Sequence, residues 1–173
     1  MSTRVRVVEP SEAEELAPAL ARLHLEAHDG GMALGLLAPQ DPDALADAYR
    51  TLVATLDELP RVLVVAEVDG RVVGMAQLAP SDAQNAAHRA EVQRVAVAAD
   101  VRGKGIGRQL MLAVEQESRV LGLTLLWLTT HDGTAAARFY EALGYTRLGV
   151  MPNYSRRPDG ELAAGAFYFR IVE

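Results

Sequence analysis

Three glycines at alternate positions, Gly103, Gly105 and Gly107, stand among Arg102, Lys104 and Arg108. Before them, Val92, Val95 and Val97 recur as β-branched residues do in a strand, over residues 91–97. After them, Ile106, Leu110, Met111, Val114 and Leu121 recur at helical spacing. A glycine-rich turn between a strand and a helix gathers unpaired backbone N–H groups at the positive end of the helix dipole, where phosphates bind. Missing side chains let a diphosphate reach the backbone, and basic neighbours add charge around it. The spacing is not the Gly-x-Gly-x-x-Gly of a dinucleotide fold. It is not a P-loop either, because Lys104 is followed by Gly105 rather than Ser or Thr.

Other chemistry has less to stand on. His24 and His28 are four apart, a metal-ligand spacing on a helix. Their run is His-Leu-Glu-Ala-His with no evident third ligand, so no metal site is expected. His88 and His131 read as strand-end histidines in solvent, within possible reach of a substrate. No serine lies in a Gly-x-Ser-x-Gly elbow. The absence of cysteine excludes disulfides, thiolate metal sites and a cysteine nucleophile.

Two motifs carry a family resemblance. Arg102-Gly103-Lys104-Gly105-Ile106-Gly107 resembles the Arg/Gln-x-x-Gly-x-Gly/Ala acyl-CoA signature of the GNAT superfamily of N-acetyltransferases. Ala136-Ala137-Arg138-Phe139-Tyr140-Glu141-Ala142-Leu143-Gly144-Tyr145 is similar to its second signature, Ala-x-x-Phe-Tyr-x-x-x-Gly-Phe/Tyr. The resemblance implies acetyl-CoA as co-substrate. Its diphosphate would sit on the N–H groups of Gly103, Lys104, Gly105, Ile106, Gly107 and Arg108, beside Arg102. Its pantetheine arm would run along Val95, Ala96 and Val97.

The resemblance also implies roles. Tyr140 stands where the family's tyrosine protonates the departing CoA sulfur. A phenol of pKa about 10 can donate to a thiolate whose thiol has a pKa of about 8.5. Glu91 stands where some members carry a glutamate base, often acting through water. Strand alternation is expected to put Glu91, Gln93, Val95 and Val97 on one face. A backbone N–H near Ala96 or Val97 would meet the oxyanion. Many members have an asparagine seven residues before the tyrosine. Here that place is Gly133, with Asp132 and Thr134 as possible substitutes. The Thr-His-Asp-Gly run and the tail from Asn153 to Phe169 resemble a bacterial subgroup that includes tabtoxin-resistance acetyltransferases, which favours a small-molecule amine.

The elements that must position these groups follow from periodicity. A first strand is expected over residues 5–8. A capping box of Ser11 and Glu14 is expected to start a helix near Glu12, running towards His28. Pro18 inside it is expected to kink or split it. Residues 32–40 read as loop. Asp41-Pro42 reads as an N-cap with proline at the first helical position, opening a helix over residues 43–59. Strands over 61–68 and 71–78 are joined by Asp69-Gly70, a two-residue hairpin signal. A polar loop follows over residues 80–87. After the central strand and the third helix, which ends near Gly122, residues 123–130 form an unbroken apolar strand carrying Trp127. A helix over 134–143 stops at Gly144. A strand over 145–150, a loop over 151–165 with a turn at Arg157-Pro158-Asp159-Gly160, and a strand over 167–172 complete the chain. This order is α/β. The resemblance implies a GNAT-type acyltransferase fold, a central mixed, mostly antiparallel sheet flanked by about four helices, as a single domain over residues 1–173.

Composition narrows the partners. The net charge is -6 with no long basic run, so nucleic-acid binding is not expected. No apolar run approaches the roughly 20 residues that span a membrane, and the first residues are too polar for a signal peptide, so no membrane is expected. A cytoplasmic location is compatible with the lack of cysteine. The acceptor is expected to meet residues 29–37, 81–88 and 153–161, because loops carry specificity. Apolar residues 167–172 could contribute to a homodimer. A protein N-terminal or lysine acetyltransferase, and a non-catalytic acyl-CoA-binding module, remain as alternatives.

Overall fold

The computed structural model describes residues 2–32, 34–35, 41–58 and 60–173. The chain enters on β1 (Thr3–Val7), passes through a single 3-10 turn (Pro10–Glu12) and forms α1 (Ala13–Asp29) and α2 (Pro42–Ala54). Then come β2 (Val62–Val68), β3 (Arg71–Pro80), β4 (Arg89–Val97), α3 (Ile106–Val120), β5 (Leu125–His131), α4 (Ala135–Ala142), β6 (Thr146–Arg156) and β7 (Leu162–Ile171). The strands form one sheet in the order β1-β2-β3-β4-β5-β7-β6. Among the described residues only β4 and β5 are parallel, so the sheet is mixed and mostly antiparallel, and four α-helices accompany it, as expected.

The local signals work where the chemistry of the turn dictates geometry. Asp69 and Gly70 both take positive φ, 49° and 81°, and Val68 pairs with Arg71 across a two-residue hairpin. The Asp41 carboxylate accepts from the Asp43 N–H at 3.2 Å, capping α2. The Thr134 hydroxyl caps α4 by accepting from Ala137 N–H at 3.3 Å. Gly144, at φ 87°, ends α4: its N–H donates to Glu141 and that of Tyr145 to Tyr140. That pair of bonds is a Schellman motif.

Four expectations are corrected. The capping box lies two residues earlier than Ser11 and Glu14. The 3-10 turn delays the helix, and Glu12 reaches back to accept from Glu9 N–H at 2.7 Å. Of the kink or split expected at Pro18, the split does not occur: α1 runs unbroken to Asp29. Its ring is exposed while Leu16, Ala17, Leu20 and Ala21 are buried on both sides of it, and their burial outweighs the one lost hydrogen bond. Helix α2 stops at Ala54, because the Thr55 hydroxyl donates to the Thr51 and Leu52 carbonyls and tightens the last turn. Of the expected continuation to 59, Leu59 lies outside the described residues.

The last correction is the largest. Residues 151–165 are not a loop: β6 continues to Arg156 and β7 begins at Leu162, leaving only residues 157–161 as the turn. Alternation fails as a signal here because nearly all of β6 is exposed, and Asn153 adopts φ 56° where the register shifts between Met151 and Ser155. The turn itself is as read, with Gly160 N–H on Arg157 carbonyl at 2.9 Å.

Helices α1 and α2 cover one face of the sheet and α3 the other. The Tyr49 hydroxyl on α2 meets Met75 of β3, while a Cβ on the neighbouring Gly74 would strike Leu110 of α3 at 2.9 Å. Ile106, Leu110, Met111 and Val114 are buried as the helical spacing predicts, whereas Leu121 sits at the helix end and is 46% exposed. Among the described residues, no helix is long and apolar enough to cross a membrane.

Gly144→Ala is expected to lower unfolding free energy by about 1–2 kcal/mol, because alanine pays the left-handed penalty at φ 87°. Denaturant titration checks it as a lower midpoint at an unchanged m-value.

Candidate active site

Strand β4 is regular only as far as Gln93. Gln93 pairs with Gln77 of β3, but the next pair is Ala96 with Met75. Arg94 and Val95 therefore both oppose Ala76, a β-bulge, and Arg94 takes φ 51°. The bulge overturns the expected alternation. Glu91, Gln93 and Ala96 share the α1/α2 face with Met75 and Gln77. Val92 and Val97 share the α3 face with Leu78 and Gly74.

The bulge sits beside an opening. β4 pairs with β5 at Arg89–Leu125, Ala90–Leu126 and Glu91–Trp127, and there the ladder stops although both strands continue. From Val92 onward, no strand among the described residues pairs with the β5-side edge of β4. N–H groups alternate sides along a strand. Ala98 N–H donates to Val73 on the β3 side at 2.8 Å, which turns the N–H and C=O of Val97 the other way, into the split. Arg102 Nε already meets that Val97 carbonyl at 2.9 Å. Backbone groups left open in this way are ready for an extended amide-bearing chain to add as a strand.

The split leads directly to the glycine turn. Gly103 and Gly105 have φ 74° and 81°, which side chains rarely adopt, and Gly105 caps α3 without a side chain. The first-turn N–H groups of Ile106, Gly107 and Arg108 thus face outward with no side-chain cap over them. Gly107 is different. Its φ is ordinary, and what it avoids is contact: a Cβ there would meet Phe139 at 3.1 and 3.3 Å. The three glycines therefore divide between turn shape and the packing of α4 on α3. Ile106 sends its side chain into the core, 2% exposed, leaving only its N–H for a ligand. Lys104 Nζ rests on Asp100 carbonyl at 3.3 Å, and Arg108 is exposed.

Tyr140 is buried, with its ring 5.2 Å from Phe139, 6.0 Å from Tyr145 and 6.2 Å from Tyr168. Phe139 and Tyr140 do part, as adjacent helical residues must: one lies on Gly107 and the other enters this tyrosine cluster. Burial pushes the Tyr140 phenol well above its usual 10, so it stays protonated and keeps its O–H available to donate. Glu91 is half-buried on the opposite face and accepts from Gln93 Nε2 at 2.8 Å. Glu91 thus stands at the last rung before the split on one face of the sheet, while Tyr140 packs against Tyr168 on the other.

Sequence reasoning missed the far wall of the α1/α2 face. Trp127, Thr129 and His131 of β5 alternate with the buried Leu126 and Leu128, so they lie on the Glu91 side. The Tyr154 ring lies flat over Gly165, where a Cβ would be 2.5 Å away, and stacks edgewise on Phe167 at 5.0 Å. His131 Nε2 and Ser155 Oγ are 2.9 Å apart. The bulge left no mark in residue types, and the Tyr154 wall fell in what read as loop. Of the expected acceptor segments, Ala33 and residues 36–37 lie outside the described residues. Asp132 and Thr134, the substitutes for the asparagine replaced by Gly133, are already engaged. Asp132 pairs with Arg147 at 2.5 Å, and Thr134 bonds His131 carbonyl at 2.8 Å while capping α4. His24 meets the Tyr49 hydroxyl at 2.8 Å inside the core.

The pattern of the acetyltransferase (GNAT) family matches residues 23–145. The mouse N-alpha-acetyltransferase 80 is 34% identical over 116 residues, 64% of this chain and 35% of that protein. An N-acetyltransferase of Lactobacillus delbrueckii subsp. lactis from the pepI 3′ region, itself uncharacterized, is 32% identical over 85 residues, 47% of this chain and 49% of that protein. The chain thus spans about a third to a half of the length of these relatives. Among solved structures, a ribosomal-protein-alanine N-acetyltransferase from Brucella melitensis superposes with TM-score 0.80 at 24% identity, over 97% of this chain and 99% of that one. A phosphinothricin acetyltransferase from Sinorhizobium meliloti in complex with AcCoA superposes with TM-score 0.78 at 20% identity, over 99% and 89%.

His131 is held below its usual 6.5 by burial, then by Arg157, with Asp159 pulling the other way. The unfolded imidazole takes up its proton first, so the stability tied to neutral His131 is present above pH 6.5 and lost as pH falls below it. His131→Gln is therefore expected to lose less Tm than the parent between about pH 7 and about pH 5. Thermal melts across that window check it.

Proposed function

Because the chain belongs to the acetyltransferase (GNAT) family, we propose that it transfers an acetyl group from acetyl-CoA to a primary amine, by direct attack and without an acyl-enzyme. The observation that carries this is the alignment of the open β4 edge with the glycine turn. An unpaired strand edge suits the amides of pantetheine, and the N–H groups of residues 103–108 suit a diphosphate at its end. The neighbour solved with AcCoA supports the same ligand.

The residues divide the work. The amine nitrogen attacks the thioester carbonyl as its proton passes to Glu91, through water. The Val97 N–H, turned into the split, stabilises the oxyanion. The C–S bond breaks as the Tyr140 phenol donates to the departing sulfur. Because burial raises that phenol, full proton transfer to a thiolate of pKa about 8.5 is steeper than for a free tyrosine, and hydrogen bonding is the main contribution. The absence of cysteine agrees with direct transfer.

A small-molecule acceptor is favoured by the Tyr154 and Phe167 rings, which flank the Glu91 side as one wall. The protein-acetylating reading draws on the mouse relative and the Brucella neighbour.

Thiol release from acetyl-CoA, measured over small amines and N-terminal peptides with CoA-dependent thermal shift in parallel, tests the proposal. Turnover on amines but not peptides is expected. Failure of CoA to raise Tm would sink it. Tyr140→Phe is expected to lower kcat roughly 10- to 100-fold with CoA affinity kept. Glu91→Gln is expected to lower kcat/KM most at neutral pH and least near the amine pKa of about 10, where the acceptor arrives already deprotonated.

A further inference from the structure

Beside the split, Arg94 is a half-buried cation with no carboxylate against it among the described residues. Its backbone occupies the bulge at φ 51°, and its side chain turns to the α1/α2 face. There Nη1 donates to Gln77 Oε1 at 2.7 Å and lies 3.5 Å from Gln93 Oε1. It also stands close enough to the buried Tyr49 hydroxyl to oppose the upward push of burial on that phenol. All of these partners are neutral. Among the described residues, no ion pair involves Arg94, whereas Arg6, Arg50, Arg71 and Arg147 each have a carboxylate. A guanidinium withdrawn from water is stable when a carboxylate meets its fork, and it has five N–H donors to offer. Next to it, Gln77 is fully buried and its Nε2 has no acceptor among the described residues. A buried donor left open is a standing cost that an incoming oxygen would relieve.

The opposite charge stands close by. Gln93 bridges the two: its Nε2 donates to the Glu91 carboxylate at 2.8 Å, and its Oε1 faces Arg94. One carboxamide therefore has its donor end on the anion and its acceptor end towards the cation. An ammonium and a carboxylate on one carbon carry the same polarity over a similar span.

We propose that Arg94, with Gln77, receives the carboxylate of the acceptor while Glu91 faces its amine, so that the acceptor is an α-amino acid or a close analogue with both groups on one carbon. The inference rests on the acetyltransferase reading. It names the substrate class and adds a specificity residue that does not touch the reacting atoms. The guanidinium fixes one end of the zwitterion, and the nitrogen is left on the side of Glu91 and the open β4 edge.

The test uses the full chain, acetyl-CoA and matched acceptors: amino acids, their carboxamides and their decarboxylated amines. Thiol release and CoA-dependent Tm are read for each. The carboxylate form is expected to exceed its carboxamide in kcat/KM by about a hundredfold, mainly through KM. Arg94→Lys is expected to keep part of that ratio, and Arg94→Gln to bring it within about threefold of unity. Equal rates on acid and amide in the parent enzyme overturn the proposal. So does a loss in Arg94→Gln that falls equally on both, which is what a purely structural arginine would give. If Arg94→Gln does not fold, the parent ratio alone decides. Turnover confined to decarboxylated amines, or no turnover while CoA still raises Tm, overturns the acceptor class and leaves the cofactor reading standing. Absence of any CoA effect overturns the acetyltransferase reading itself.

Discussion

Arg94 and Val95 share a single partner, Ala76, across the β3–β4 ladder. That one extra residue reverses the facing of everything after it on β4. It parts Val97 from Glu91, gives Arg94 to the α1/α2 face and leaves Val97's backbone turned towards β5. A bulge bends its strand and increases local twist, and β4 stops pairing with β5 just before it, at Glu91 and Trp127. A regular strand would have zipped onto β5 and paired the groups that now lie open. The open ladder is therefore tied to the bulge, and the candidate site is tied to both.

The helices keep this opening in place from its two sides. On one, α3 and α4 meet at Gly107 and Phe139, so the turn that offers N–H groups is packed against the helix that carries Tyr140. The two halves of the proposed cofactor site are coupled through that contact. On the other, His24, Tyr49, Gln77 and Arg94 form a polar chain from α1 and α2 to the bulge. Burial of Tyr49 raises its phenol to about 12, with Arg94 opposing the shift, so the hydroxyl stays protonated as part of this chain.

Much was legible in residue types because local chemistry left few choices. Asp69-Gly70 had to be a hairpin, Asp41-Pro42 a helix start and Gly144 a helix stop, since each places residues where other conformations are costly. Alternation failed where a strand is exposed on both faces. Residues 151–156 showed no apolar period, and their strand exists because β7 pairs with them. Proline likewise misled at Pro18, where packing on both sides outweighed one lost bond.

The sequence by itself determined the order of elements, the two motifs, the glycine turn and the candidates Glu91 and Tyr140, because turns, caps and periodicity act between near neighbours in the chain. Tertiary structure alone decided which face each residue serves. No residue type announces a bulge: register is a property of two strands, and Arg94 came to lie among the neutral Gln77, Gln93 and Tyr49 only when the fold gathered them around it. Gly107 makes the same point, since its need to lack a Cβ comes from Phe139, which a different helix brings to within 3.1 Å of where that atom would be.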